Sequence, residues 1–79
     1  MDIDRFIEHF AEQFEETPPE VFTPDTVFHD LDEYSSIVAL SIIAMVGEEY
    51  DVALKGNDMR NAVTIRDLFT IVQCSTPMD

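Results

Sequence analysis

Residues 31–50 read LDEYSSIVALSIIAMVGEEY, in which an acidic loop leads through two serines into an apolar segment of helical length. Serine is among the best N-cap residues, because its hydroxyl accepts a hydrogen bond from an unpaired backbone N–H group. The serine pair therefore predicts the start of a helix. The segment from Ile37 to Val46 has Ser41 as its only polar side chain, and it is too short to span a bilayer. We expect it to form the central helix of a small domain.

The spacing of apolar residues along this helix predicts which side is buried. Residues spaced three or four positions apart form one stripe along the helix, which should face the core. Its members are Leu40, Ile43, Val46 or Gly47, and Tyr50. A chain of this size cannot bury every side of a central helix, so part of the opposite side should stay exposed. The residues on that outer side are Val38, Ser41, Ile42, Met45 and Glu48.

A first helix and a long loop precede the central helix. The first helix is capped by Asp2 or Asp4 and is predicted to run to about Glu16, since Pro18-Pro19 cannot continue its hydrogen-bond ladder. Residues 17–34 form a loop whose apolar side chains predict that it packs onto the helices. A loop of this length in a small domain is usually functional.

The carboxyl-terminal part predicts two more helices. Residues Val52 to Leu54 could form a short strand, but the sequence contains no partner strand. A single short helical turn is expected through residues 59–62. Thr64 and Asp67 then form an approximate capping box that opens the last helix, which should run to about Gln73.

These elements predict one all-α domain over residues 1–79, a small bundle of three main helices and one short helix. Each apolar stripe needs the others to leave water, so the helices should share one core. Residues 75–79 should fray. The predicted core residues are Phe6, Phe10, Phe14, Phe28, Leu40, Ile43, Val46, Leu68 and Val72.

The composition narrows the possible partners. The chain has 17 acidic and 4 basic residues, a formal net charge of −13, which argues against nucleic acid because phosphate binding needs clustered Lys and Arg. Cys74 is the only cysteine, so no internal disulfide can form, and a reducing cytoplasm fits. The acidic amino terminus does not resemble a signal peptide. We expect a cytoplasmic monomer without a membrane span.

The sequence gives little support for metal or catalytic chemistry. An EF-hand loop starting at Asp30 would need glycine and glutamate at the positions of Ser35 and Ser41. No serine-hydrolase signature surrounds Ser35 or Ser36. We therefore expect neither a metal site nor an enzyme.

The region around Ser36 resembles the acyl carrier protein family. A leucine, a short acidic loop, a serine that opens the helix and a Glu-Glu-aromatic ending are similar, and the resemblance extends from Phe6 to about Val72. The family carries Asp-Ser-Leu at this helix start, and the matching triplet here is Ser35-Ser36-Ile37. The resemblance implies that Ser36 carries a covalent 4′-phosphopantetheine arm. It also implies that the arm holds acyl groups as thioesters for fatty-acid biosynthesis or a specialised acyl pathway.

The resemblance further implies partners and an acyl pocket. The partners would be a phosphopantetheinyl transferase and acyl-processing enzymes, and they would dock on the outer side of the central helix, at Val38, Ser41, Met45 and Glu48. The acyl chain would lodge among apolar side chains beneath that helix, namely Phe28, Leu40, Ile43, Val46 and Leu68.

Three features depart from the family pattern. Ser35 replaces an aspartate, the acidic loop is one residue longer, and Val38 and Ser41 replace acids that meet basic partners. These departures favour a specialised carrier. With Ser35 as the N-cap, Ser36 becomes the first helical residue, where backbone N–H groups and the macrodipole favour a phosphodiester. Alternatively, both serines serve only to cap the central helix. The chain is then an unmodified helical interaction module that docks a partner on the exposed apolar side of that helix.

Overall fold

The structure is an all-α bundle, as predicted. A computed structural model describes residues 2–75. Its four helices are α1 (Ile3–Ala11), α2 (Ser36–Tyr50), α3 (Gly56–Asn61) and α4 (Ile65–Ser75). Two short 3₁₀ helices, Pro19–Val21 and Phe28–Asp30, lie in the long loop between α1 and α2. Helix α1 packs against α2 and α4, and α3 packs against α4. The bundle thus has the three main helices and the one short helix expected from the sequence.

The core is aromatic where α1 meets the long loop. The Phe10 ring lies at its centre, with ring centroids 5.4 Å from Phe28, 5.6 Å from Phe14 and 6.0 Å from Phe22. Most of the predicted core is confirmed, since these residues are buried: Phe6, Phe10, Phe14, Phe28, Val46, Leu68 and Val72. The loop therefore belongs to the core and is not a free linker.

The predicted buried side of α2 is wrong in the first half of the helix, although Val46 is buried as predicted. Leu40 is 65% exposed and Ile43 is half-buried, whereas Ile42 and Met45, expected on the outer side, are buried. The buried side is therefore turned by roughly 100°, the rotation of one residue. Because α2 is apolar on nearly every side, its own periodicity does not fix its orientation, which depends on its packing against α1 and the shared core.

Helix α1 ends at Ala11, before the predicted end at Glu16. The Gln13 N–H donates to the Phe10 carbonyl at 3.1 Å, and the Phe14 N–H donates to the Ala11 carbonyl at 3.0 Å. These i to i+3 bonds tighten the chain as helix ends commonly do. The tighter turn leaves Phe14 buried in the core, although it lies outside the helix.

The capping box at the start of α4 is confirmed. The Asp67 N–H donates to the Thr64 hydroxyl at 3.1 Å, and the Thr64 N–H donates to the Asp67 carboxylate at 3.1 Å. The backbone N–H groups of Thr64 and Val63 lower the pKa of Asp67 below its ordinary value. The Ile65 N–H donates to the Thr26 carbonyl at 3.1 Å, so the long loop is held against the start of α4.

The other elements predicted for the carboxyl-terminal half differ from the structure in their type or bounds. Residues 52–54 form a loop with Val52 and Leu54 buried, and not a strand. Helix α3 starts at Gly56, earlier than predicted, and the Asp58 carboxylate accepts the Lys55 N–H at 3.1 Å. Helix α4 continues past Gln73 to Ser75, so Ser75, the first residue of the range predicted to fray, is helical. The rest of that range, residues 76–79, lies outside the described residues.

Candidate functional site

The two serines before α2 have different local roles. Ser35 is the N-cap, with extended backbone (φ −152°, ψ 174°), and its hydroxyl accepts the Val38 N–H at 3.3 Å. Ser36 is the first helical residue and is exposed. In the described part of the chain, the N–H groups of Ser36 and Ile37 have no protein acceptor. The start of α2 therefore presents an exposed hydroxyl beside two free backbone donors.

The Glu33 carboxylate fixes the loop that leads to these serines. Its Oε2 accepts the Glu15 N–H at 2.7 Å, and its Oε1 accepts both the N–H and the hydroxyl of Thr17, at 2.9 and 2.7 Å. The Glu16 N–H also donates to this carboxylate, at 3.1 Å from Oε1. The acidic loop is thus tied to the chain that follows α1.

These hydrogen bonds stabilise the ionised form of Glu33. The Thr17 hydroxyl makes the largest contribution and, together with the backbone N–H groups of residues 15–17, lowers the pKa of Glu33 below its ordinary value of 4.5. Partial desolvation opposes the shift without reversing it. The sequence did not predict that Glu33 ties the two segments together, because residues 15–17 and Glu33 are distant in sequence.

His29 joins the loop to α3. Its Nε2 lies 2.9 Å from the carbonyl oxygens of both Met59 and Ala62. Both partners are acceptors, so Nε2 must carry a proton and donate. The His29 ring stacks on Phe28 at a centroid distance of 4.4 Å and meets Tyr34 edge-on at 5.1 Å. This arrangement holds the carboxyl end of α3 against the loop that precedes Ser36.

An open groove of about 430 Å³ lies between the first half of α2 and α3, with Ser36 in its wall. Its larger apolar lining residues include the exposed Leu40, the half-buried Ile43 and the buried Met59. This position accounts for the exposure of Leu40, which faces the groove and not the core. The remaining lining residues are His29, Tyr34, Ala39, Gly56 and Arg60.

The groove contains only part of the acyl pocket predicted from the sequence. Leu40 and Ile43 line it, whereas Phe28, Val46 and Leu68 are fully buried in the core and do not. The α3 residues that line the groove were not predicted from the sequence, because the pattern over residues 56–60 indicated only a short helical turn. The register of α3 against α2 is a tertiary feature that local sequence patterns do not report.

The exposed side of α2 also differs from the predicted docking side. Met45 is buried, and Val38 and Ser41 are half-buried, so only Glu48 of the four predicted docking residues is well exposed. The side that does face solvent is named here the outer stripe. Its members are Ile37, Leu40, Ala44, Gly47 and Glu48.

Residues 2–75 contain no group of three or more His, Cys, Asp or Glu side chains placed to hold a metal ion. Within the same range, none of the helices combines the length and apolar character needed to cross a membrane.

Comparison with known proteins gave a family match. Residues 4–72, most of the chain, match the family model described as "phosphopantetheine attachment site". No curated protein and no solved structure gave a match. Members of the matched family carry a covalently attached 4′-phosphopantetheine group. An exposed serine hydroxyl at a helix start, beside free N–H groups and an apolar groove, fits such a group.

Proposed function

Because the chain belongs to the phosphopantetheine attachment-site family, we propose that it is an acyl carrier whose arm is attached to the Ser36 hydroxyl. The observation that carries this proposal is the division of roles between the two serines. The Ser35 hydroxyl caps α2, whereas the exposed Ser36 hydroxyl is free of that task. When attached, the arm supplies a terminal thiol that holds the acyl group as a thioester.

The residues around Ser36 can bind the phosphodiester that joins the arm to the protein. The N–H groups of Ser36 and Ile37 lie at the positive end of α2, where a negative charge is favoured by typically ~0.3–1 kcal/mol. No acidic residue occurs in the first turn of α2 to compete for these donors. The missing aspartate before Ser36 thus also removes a repulsive charge.

The groove between α2 and α3 is the proposed shelter for the acyl chain. Leu40, Ile43 and Met59 can cover an apolar chain that would otherwise meet water. His29 lies in the same groove, but its Nε2 is committed to two backbone carbonyls. That commitment supports a carrier and not a catalyst. The departures from the family pattern favour a specialised acyl pathway over general fatty-acid biosynthesis.

The proposed docking surface for the transferase and the acyl-processing enzymes is the outer stripe of α2. It is largely apolar next to Ser36, because Ile37 is 77% exposed and Leu40 is 65% exposed. It becomes acidic only at its carboxyl end, at Glu48. Contacts near the serine should therefore depend less on salt than contacts between acids and bases.

The attachment site is tested by intact mass after incubation with coenzyme A and a broad-specificity transferase. Wild type and Ser35→Ala should each gain one arm, whereas Ser36→Ala should gain none. A modified Ser36→Ala protein would overturn the assignment. Ala44→Glu, in the outer stripe, should slow modification several-fold, and Gln73→Glu, on the exposed side of α4, adds the same charge as a control.

The second candidate is an unmodified interaction module, and the exposed apolar outer stripe favours it. Exposed apolar surface of this kind commonly marks a binding site for another protein. An unmodified wild-type protein in the mass experiment would select this candidate. Loss of docking in Ala44→Glu agrees with both candidates, so the mass of the wild type decides between them.

A further inference from the structure

Arg60 is an unusual side chain for the wall of this groove. It is one of only 4 basic residues in a chain with 17 acids, yet it lines the groove with Leu40 and Met59. Its guanidinium donates a hydrogen bond to the Asn57 side chain. Among residues 2–75, no carboxylate lies within ion-pair distance of Arg60, whereas Arg66 pairs with Asp25 at 3.4 Å.

An unpaired cation beside an apolar surface can bind an anion that arrives with the ligand. A guanidinium presents several N–H donors in a plane and matches a carboxylate well. An acyl chain with an apolar end would need only Leu40, Ile43 and Met59. A chain ending in a carboxylate would be repelled by the net charge of −13, unless a cation met that end.

We propose that Arg60 binds a carboxylate at the far end of the acyl group, so that the groove selects dicarboxylic acyl groups held as half-thioesters. Arg60 is then a specificity residue, and the apolar side chains cover the methylene groups between the thioester and the carboxylate. This inference rests on the proposed function, because attachment at Ser36 delivers the acyl chain to the groove.

The phosphodiester of the arm is a second source of negative charge at this site. It could reach Arg60 whatever group the arm carries. The two sources differ in one respect: a contact with the phosphodiester is present before any acyl group is loaded. The experiment therefore includes a protein that carries the arm alone.

The test compares wild type, Arg60→Gln and the control Arg66→Gln, which removes the same charge from outside the groove. Each is loaded by the transferase from coenzyme A, glutaryl-coenzyme A or the analogue whose distal carboxylate is a primary amide. Intact mass confirms loading, and the thermal midpoint is then measured in low and high salt. Comparing two acyl groups within each variant cancels any change in baseline stability.

In wild type and Arg66→Gln, the glutaryl form should melt higher than the amide form, by on the order of 2 °C in low salt. High salt should reduce this difference. In Arg60→Gln the difference should vanish or change sign, because only the repulsive acidic surface remains. Arg60→Lys should restore part of it.

Three results would overturn the proposal. The first is a glutaryl advantage that persists in Arg60→Gln. The second is an effect of Arg60→Gln that is already complete with the arm alone, which would assign the contact to the phosphodiester. The third is an unchanged mass in wild type, which would remove the proposed function and this inference together. The mass measurement separates that failure from the other two.

Discussion

The two sides of α2 are both apolar, but they have different surroundings. Ile42 is fully buried and belongs to the same cluster as Phe6 and Phe10. Leu40, only two residues earlier, is 65% exposed and lines the groove beside Ser36. Fully burying a leucine or isoleucine contributes about 1.5–3 kcal/mol, so the exposed side adds little of that stability. Side chains of similar hydrophobicity thus stabilise the fold on one side and remain available for binding on the other.

The acidic surface makes this exposed apolar side tolerable. A single exposed leucine is ordinary, but Ile37 and Leu40 lie on one stripe next to the candidate attachment site. A contiguous apolar patch favours association between copies of a chain. The net charge of −13 opposes such association through mutual repulsion. The charge and the exposed apolar stripe are therefore compatible properties of one surface.

Truncation to alanine should separate the two sides of α2 clearly, in a comparison of Ile42→Ala with Leu40→Ala. Ile42→Ala opens a cavity in the core and should lower the free energy of unfolding by about 2–5 kcal/mol. Leu40→Ala removes an exposed side chain and should change it by no more than about 0.5 kcal/mol. Urea denaturation of both variants, followed by circular dichroism, gives the two values. Equal losses would mean that the two sides of α2 are not distinct.

Introducing a carboxylate on each side of α2 should separate the two sides further. Met45→Glu would place an unpaired carboxylate in the core and should prevent stable folding. Leu40→Glu should leave the fold intact, because its carboxylate can reach water. A folded Met45→Glu protein would contradict the observed orientation of α2.

Local patterns in the sequence predicted the helices well, and they did not predict the orientation of α2. The Ser35 cap and the Thr64–Asp67 capping box are interactions within three or four residues, so the sequence contains all of their components. The orientation of α2 depends on which of its apolar sides faces α1 and the shared core. Ile37 and Ile42 are equally hydrophobic in sequence, and only the tertiary contacts separate them.

The candidate site was likewise only partly predictable from the sequence, because its serine depends on local residues and its groove depends on the fold. The assignment of Ser36 as the candidate attachment site was predicted from the local cap and the family resemblance, and neither needs a tertiary structure. The groove is different, because it forms where α3 meets α2 and includes Met59 and Arg60. The sequence marks Arg60 only as a rare cation in a largely acidic chain. Its position beside the apolar wall of the groove is seen only in the folded chain.

The second prediction compares the two serines by stability, without any modification. Ser35→Ala removes the hydroxyl that accepts the Val38 N–H and should cost about 0.5–2 kcal/mol. Ser36→Ala lies on the exposed first turn and should stay within about 0.5 kcal/mol of wild type. Thermal or urea unfolding of the unmodified proteins measures both. If Ser36→Ala were the more destabilised variant, the cap would be misassigned, and the exposed side of α2 would begin at a different residue.

A weaker contrast of the same kind involves two adjacent acids, Asp32 and Glu33, only one of which makes structural contacts within residues 2–75. Asp32 is exposed, whereas the Glu33 carboxylate accepts backbone N–H groups from the segment after α1 and thereby positions the start of α2. Glu33→Gln replaces one acceptor oxygen of the carboxylate with an NH2 group, which donates hydrogen bonds and cannot accept these N–H groups. It should lower the thermal midpoint near neutral pH, by less than the loss of the Ser35 cap, because the site is open to solvent. Asp32→Asn removes the same charge and should have little effect.

The pH dependence identifies the cause of that effect. The folded pKa of Glu33 lies below the ordinary value of 4.5, so its contribution is present above that value and is lost as the pH falls through the lowered pKa. On acidification, the midpoint of wild type should therefore approach that of Glu33→Gln. A gap between wild type and Glu33→Gln that stays constant below the lowered pKa would mean that Glu33 acts through packing, because protonation would then leave its contribution intact. A gap that closes would show that the ionised carboxylate itself holds the loop from which α2 starts.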